Sequence, residues 1–107
     1  MQKYTVLIFL PVAGWRAKLL DIFVSLGWKV SAASGDGILR GEASAALNFH
    51  IECALSDNDE IRKKVQELLS EHEIYYFGIV IWNRDNNILT WSPSNSKVKI
   101  QQTVYRN

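Results

Sequence analysis

The chain has 107 residues, 48% of them hydrophobic, and a formal net charge of +1 from 12 basic and 11 acidic side chains. That length holds one core and not two, and the near-neutral balance excludes a global field able to draw nucleic acid or an anionic membrane to the whole surface. Any such partner must meet a local patch: from Arg84 onward Arg84, Lys97, Lys99 and Arg106 stand against Asp85 alone, whereas residues 57–73 hold six acids and three bases.

In chain order, Tyr4–Val12 is apolar on both parities, with Val6, Ile8 and Leu10 facing one way and Leu7 and Phe9 the other, which predicts a strand covered on both faces. At nine residues it is too short to cross a bilayer, and it lacks the basic start of a secretory signal. Trp15, Leu19, Ile22, Phe23 and Leu26 then recur at helical spacing, and Gly27 stands where a left-handed helix stop is wanted, so a helix is expected over 14–26. Trp28–Ser34 reads as a second strand.

Gly35, Gly37 and Gly41 are spaced G-x-G-x-x-x-G, one residue too long for a dinucleotide fingerprint, and no Gly-Lys-Ser/Thr follows. Asp36-Gly37 instead matches a type I′ hairpin turn, with Gly41 as a bend or bulge. The segment Leu47–Leu55 alternates strictly: Leu47, Phe49, Ile51, Cys53 and Leu55 on one side, Asn48, His50, Glu52 and Ala54 on the other. Between them, 42–47 has helical propensity, and a turn of helix there would spoil a simple hairpin.

Asp57 and Glu60 stand at capping-box spacing before the apolar stripe Ile61, Val65, Leu68 and Leu69, which predicts a second helix ending near 71–73. Ile74–Asn83 reads as a strand apolar on both parities. Arg84–Asn87 is turn chemistry, Ile88–Ser92 a short strand closed by Pro93–Ser96, and Lys97–Tyr105 a last strand or an extended arm.

The order strand, helix, strand, strand, helix, strand points to an α+β, ferredoxin-like βαββαβ sandwich with both helices on one face of an antiparallel sheet. The whole chain is then one domain, with a core over 4–83 and a C-terminal β hairpin or arm over 84–107. That fold hosts metabolite sensors, RNA-recognition modules, nucleases and dimeric barrel enzymes, so it weighs little on function.

The informative feature is an excess of apolar surface. Two helices cover one side of the sheet, yet the other parity carries Leu7 and Phe9 on the first strand and Tyr76, Val80 and Trp82 on the fourth. The chain's own tail, with Trp91 as part of the cover, a second copy, or a ligand or partner must take that face. Phe9, His50, Tyr76, Trp82 and Trp91 are therefore the candidate binding or interface residues.

His50 and Glu52 share a face with Asn48, and an imidazole near a carboxylate is a candidate for acid–base work in a dimeric barrel enzyme; residues two apart on a strand are about 7 Å apart, so the two need not touch. Two histidines and one inward-facing cysteine give no metal-ligand spacing, and no cofactor motif or nucleophile motif is present. Cys53 is the one cysteine, so no internal disulfide forms, which fits a cytoplasmic location. An RNA-recognition reading is not favoured: Phe9 suits a stacking platform, but Phe49 lies on the helix-facing parity and Glu52 stands among the outward residues. The sequence thus supports a small non-catalytic binding or regulatory protein, acting as a homodimer or on another protein, with no membrane.

Overall fold

A computed structural model of the chain describes residues 1–11, 14–39 and 42–94 and, outside 33–39 and 42–44, their side chains. The elements are β1 (Gln2–Leu10), α1 (Arg16–Ser25), β2 (Lys29–Leu39), β3 (Glu42–Cys53), α2 (Asn58–Glu71), β4 (Gly78–Asn83) and β5 (Ile88–Pro93). Together they make an α+β fold in which one antiparallel sheet has the order β2-β3-β1-β4-β5.

The five-stranded order is not the four-stranded ferredoxin-like order suggested by the sequence, because β5 pairs with β4 from Gly78↔Pro93 to Asn83↔Ile88 and adds an edge. Arg84–Asn87 is the turn between them: the Asn83 side-chain oxygen accepts from the amides of Asp85 and Asn86, both at 3.1 Å. The stretch Lys97–Tyr105 and the end of the Pro93–Ser96 segment lie outside the described residues, as do Val12 and Gly41.

Strand alternation places the core on one side of the sheet. Tyr4, Val6, Ile8 and Leu10 of β1, Leu47, Phe49, Ile51 and Cys53 of β3, and Ile79 and Ile81 of β4 are buried together with Leu19 and Phe23 of α1 and Ile61, Val65, Leu68 and Leu69 of α2. Phe23 is the hub of the α1 half, stacked on Trp28 at 5.5 Å and edge-on to Phe49 at 5.2 Å. Gly27, at φ +88°, ends α1 as its position predicts.

The α2 start is also as the sequence implies. The Asp57 carboxylate accepts from the Glu60 amide at 2.9 Å, and the Glu60 carboxylate reaches back to the Ser56 amide at 2.8 Å, one residue earlier than in a standard capping box. At the other end Ile74 N–H donates to the Leu69 carbonyl at 2.8 Å while Glu73 takes φ +56°, so a Schellman-type stop forms without glycine. The buried Ile74 side chain is the apolar contact that accompanies such a stop.

Two local expectations give way to pairing. Asp36-Gly37 is not the hairpin turn: β2 runs straight through it, with Asp36 opposite Ala45 and Gly37 opposite Ser44, up to Leu39↔Glu42. A turn at 36–37 would set Lys29 opposite Ser44 and leave Leu47–Cys53 paired on the β1 side alone, whereas the observed register sets Val30 against Ile51 and Ala32 against Phe49. The same ladder turns 42–47 into strand against its helical propensity. The fourth strand is shorter than 74–83, since Ile74–Phe77 is irregular and tied to its neighbours by Phe77 N–H to the Phe9 carbonyl at 2.7 Å.

Candidate functional site

The outer face of the sheet, turned away from both helices, is built in cross-strand rows. One row runs Ser31, His50, Thr5, Trp82, Leu89; the next runs Asn48, Leu7, Val80, Trp91; a third runs Ala46, Phe9, Gly78, Pro93. None of these residues carries a carboxylate or an aliphatic or guanidinium cation. Leu89, Trp91 and Trp82 remain 68%, 53% and 38% exposed, so the half of the face on β1, β4 and β5 is an open apolar strip.

Each candidate residue takes its place from register. Phe9, on β1, lies 6.2 Å from Trp91 on β5, and the Trp91 ring covers the backbone of Gly78 between them. Trp82 donates its indole N–H to the Asn87 side-chain oxygen at 3.0 Å, and the Arg84 guanidinium lies 5.8 Å over its ring. His50 is exposed and its Nδ1 is 3.1 Å from the Thr5 hydroxyl. Tyr76 does not belong to the outer face. The irregular backbone over 74–77 breaks the parity that links it to Trp82, and Tyr76 is buried in the core at 3% exposure.

Among the described residues no hydrogen bond joins Glu52 to His50; the imidazole meets Thr5 instead. Cys53 is buried, and burial pushes its thiol pKa up, which keeps it protonated and unreactive. Among the described residues no group of three His, Cys, Asp or Glu stands where it could hold a metal ion. No described helix is long and apolar enough to cross a membrane.

Two features of the face were invisible in the linear sequence. The first is a charged end row. Lys29 and Lys3 flank Glu52 across the ladder, and Arg84 donates its amide to the Lys3 carbonyl at 2.8 Å, so these residues edge a shallow depression of about 390 Å³ beside His50 and Ser31. Three strands and a turn bring these charges together, and only the register could have revealed them. The second is Asn48, whose side-chain oxygen is buried and accepts no hydrogen bond from the described residues. An orphaned acceptor of this kind costs about 1–3 kcal/mol unless something completes it.

A larger depression of about 630 Å³ lies on the helix side, floored by Leu26, Trp28 and Leu55 and rimmed by Glu60, Lys63, Lys64 and Glu67. Its rim charges are engaged at home: Glu60 on Ser56, Lys63 with Asp59, and Lys64 with Glu67. It is a less apt binding surface than the sheet face.

No protein-family model, curated protein or solved structure matches the chain.

Proposed function

We propose that the protein is a non-catalytic binding protein that works by self-association through the outer face of its sheet. The observation that carries this reading is the strip formed by Phe9, Leu7, Val80, Trp82, Leu89 and Trp91, which neither helix covers. Large apolar surfaces on small domains mark sites of association, and closed two-fold dimers are the commonest soluble oligomers. Light scattering on a sizing column tests the reading, with Leu7→Lys as the variant that places a charge in the strip. The expected result is a dimer for the natural chain and a folded monomer for the variant.

In this reading the first four strands, in the succession β2-β3-β1-β4, and both helices form a ferredoxin-like sandwich extended by β5, and binding of another protein through the same face is the alternative to self-association. The buried single cysteine is compatible with a cytoplasmic protein.

A second reading, single-stranded nucleic-acid binding, draws on the approach of Lys3, Lys29 and Arg84 to the aromatic strip. It is the weaker one, since Glu52 sits between the two lysines and Trp82 is already held by Arg84 and Asn87. Salt-sensitive retention on a single-stranded oligonucleotide column would favour it.

A further inference from the structure

Lys29, Glu52, Lys3 and Arg84 form the end row of the outer face, in that order across β2, β3, β1 and the β4–β5 turn. With Ser31 and His50 of the neighbouring row they border the depression of about 390 Å³. That volume lies at the lower end of the roughly 300–1,000 Å³ typical of small-molecule sites. Asp85, beside the row, is turned to the Lys3 amide, which donates to its carboxylate at 2.9 Å.

The charges of this row are unspent, unlike those of α2. On the helix Arg62 and Lys63 pair with Asp59, and Lys64 pairs with Glu67. In the end row Glu52 stands opposite a lysine on either side of the ladder, yet among the described residues no ion pair joins it to Lys3 or Lys29. The Arg84 guanidinium meets only the Trp82 ring, at 5.8 Å. His50 spends its Nδ1 on the Thr5 hydroxyl, which leaves Nε2 without a partner among the described residues. Three cations, an imidazole nitrogen and one carboxylate thus share a depression without satisfying one another.

We propose that this end of the sheet face binds a phosphate monoester of a small polyol. Lys3 and Arg84, neighbours across one strand spacing of about 4.8 Å, hold the phosphate, with His50 as a further donor. Glu52 accepts from a hydroxyl of the same ligand, and Lys29 and Ser31, beyond Glu52, donate to its hydroxyl oxygens. Two properties select this class. The Arg84 fork beside a lysine matches a dianion with three acceptor oxygens better than a carboxylate. A chain of phosphates along the row would set one of them against Glu52, a like-charge contact that costs affinity, whereas a single phosphate with hydroxyls beside it turns that carboxylate into a contact. The row lies outside the strip of Leu7, Phe9, Val80 and Trp91, and the site does not require self-association.

The test is a titration of the natural chain with glycerol phosphate and, separately, with inorganic phosphate at fixed moderate salt, followed by amide chemical shifts. Saturable shifts centred on the end row are expected, with glycerol phosphate the tighter of the two. Lys3→Gln and Arg84→Gln should each weaken glycerol phosphate about tenfold. Lys63→Gln, the same change of net charge on α2, should leave it unaltered. Glu52→Ala should tighten inorganic phosphate and abolish the preference for glycerol phosphate. Equal losses in Lys3→Gln and Lys63→Gln, or no saturation by about 10 mM ligand, would overturn the site. Equal affinity of the natural chain for both probes would overturn the polyol class and the role of Glu52. A short oligothymidylate that binds tighter than glycerol phosphate through the same residues would overturn the small-ligand assignment in favour of single-stranded nucleic acid. Lys3, Lys63 and Arg84 are exposed, and circular dichroism of each variant, Glu52→Ala included, separates lost binding from lost folding.

Discussion

The six-membered ring of Trp91 lies flat against the backbone of Gly78, so that a side chain at position 78 would have to occupy the ring's own space. Gly78 and Val80, opposite Pro93 and Trp91, bind β4 to the edge strand, and the absent side chain is what lets the largest residue of β5 fold down onto the sheet beside Phe9. Gly78 has an ordinary backbone conformation, so its role is one of room and not of dihedral freedom.

Gly78→Ala therefore displaces Trp91. The expected cost is about 1–3 kcal/mol, the usual range for overpacking, read as a lower urea midpoint with an unchanged slope. Tryptophan emission should shift to the red as the ring enters water. Gly78→Ala in a Trp91→Ala background should cost much less than in the natural chain, since the clash is then gone.

Asn58 is the polar clamp between α2 and the β4–β5 hairpin. It is buried, and its amide nitrogen donates to the Ile88 carbonyl at 3.0 Å and lies 3.3 Å from both the Ile81 carbonyl and the Thr90 hydroxyl. Asn58→Ala removes every one of these but also removes the Asn58 side-chain oxygen, itself buried without a partner among the described residues, so a loss of about 1–2 kcal/mol is expected. Amide hydrogen exchange should locate the damage in β5 and the first turn of α2, with β1 and β3 least affected.

Tyr4 gives the fold an alkaline limit. Its ring is fully buried and its hydroxyl donates to the Leu55 carbonyl at 2.7 Å. Burial, followed by the nearby Cys53, Asp57, Glu60 and Asp85, pushes its pKa from 10.0 up to about 12. The folded state therefore holds the proton where the unfolded chain releases it: the Tyr4 contribution is complete below pH 10 and is lost as pH rises from about 10 to about 12. That decline amounts to about 2–3 kcal/mol. In a Cys53→Ala background, which removes the thiol's own raised pKa, Tyr4→Phe should flatten the stability curve over that window. An unchanged decline would show that another group sets it.

Much of the fold was legible in the sequence where local chemistry and tertiary demand agree. The parity of Val6, Ile8 and Leu10, the stripe Ile61, Val65, Leu68 and Leu69, the cap at Asp57 and the stop at Gly27 each serve the same core that the strands define. Asp36-Gly37 misled because a turn signal is local, whereas the β2–β3 register is decided by eleven paired positions that align Val30 with Ile51 and Ala32 with Phe49. Tyr76 misled for a related reason. Parity carries a side chain to a face only while the backbone stays extended, and the Schellman-type stop at Glu73 feeds Ile74–Phe77 into the sheet as an irregular lead-in. The candidate face was half legible. Phe9, His50, Trp82 and Trp91 lie on it, but the partnerships of Asn48 with Leu7 and of Lys3 with Glu52 join strands far apart in sequence, and no linear pattern reports them.

The most direct test of the account is the solution mass by light scattering at two widely separated concentrations in moderate salt, on the natural chain and on Leu7→Lys. Self-association through the outer face predicts twice the 12.2 kDa chain mass for the natural protein and a single chain mass for the folded variant. A natural chain that runs as a monomer at both concentrations, or a Leu7→Lys variant that remains dimeric, would contradict it.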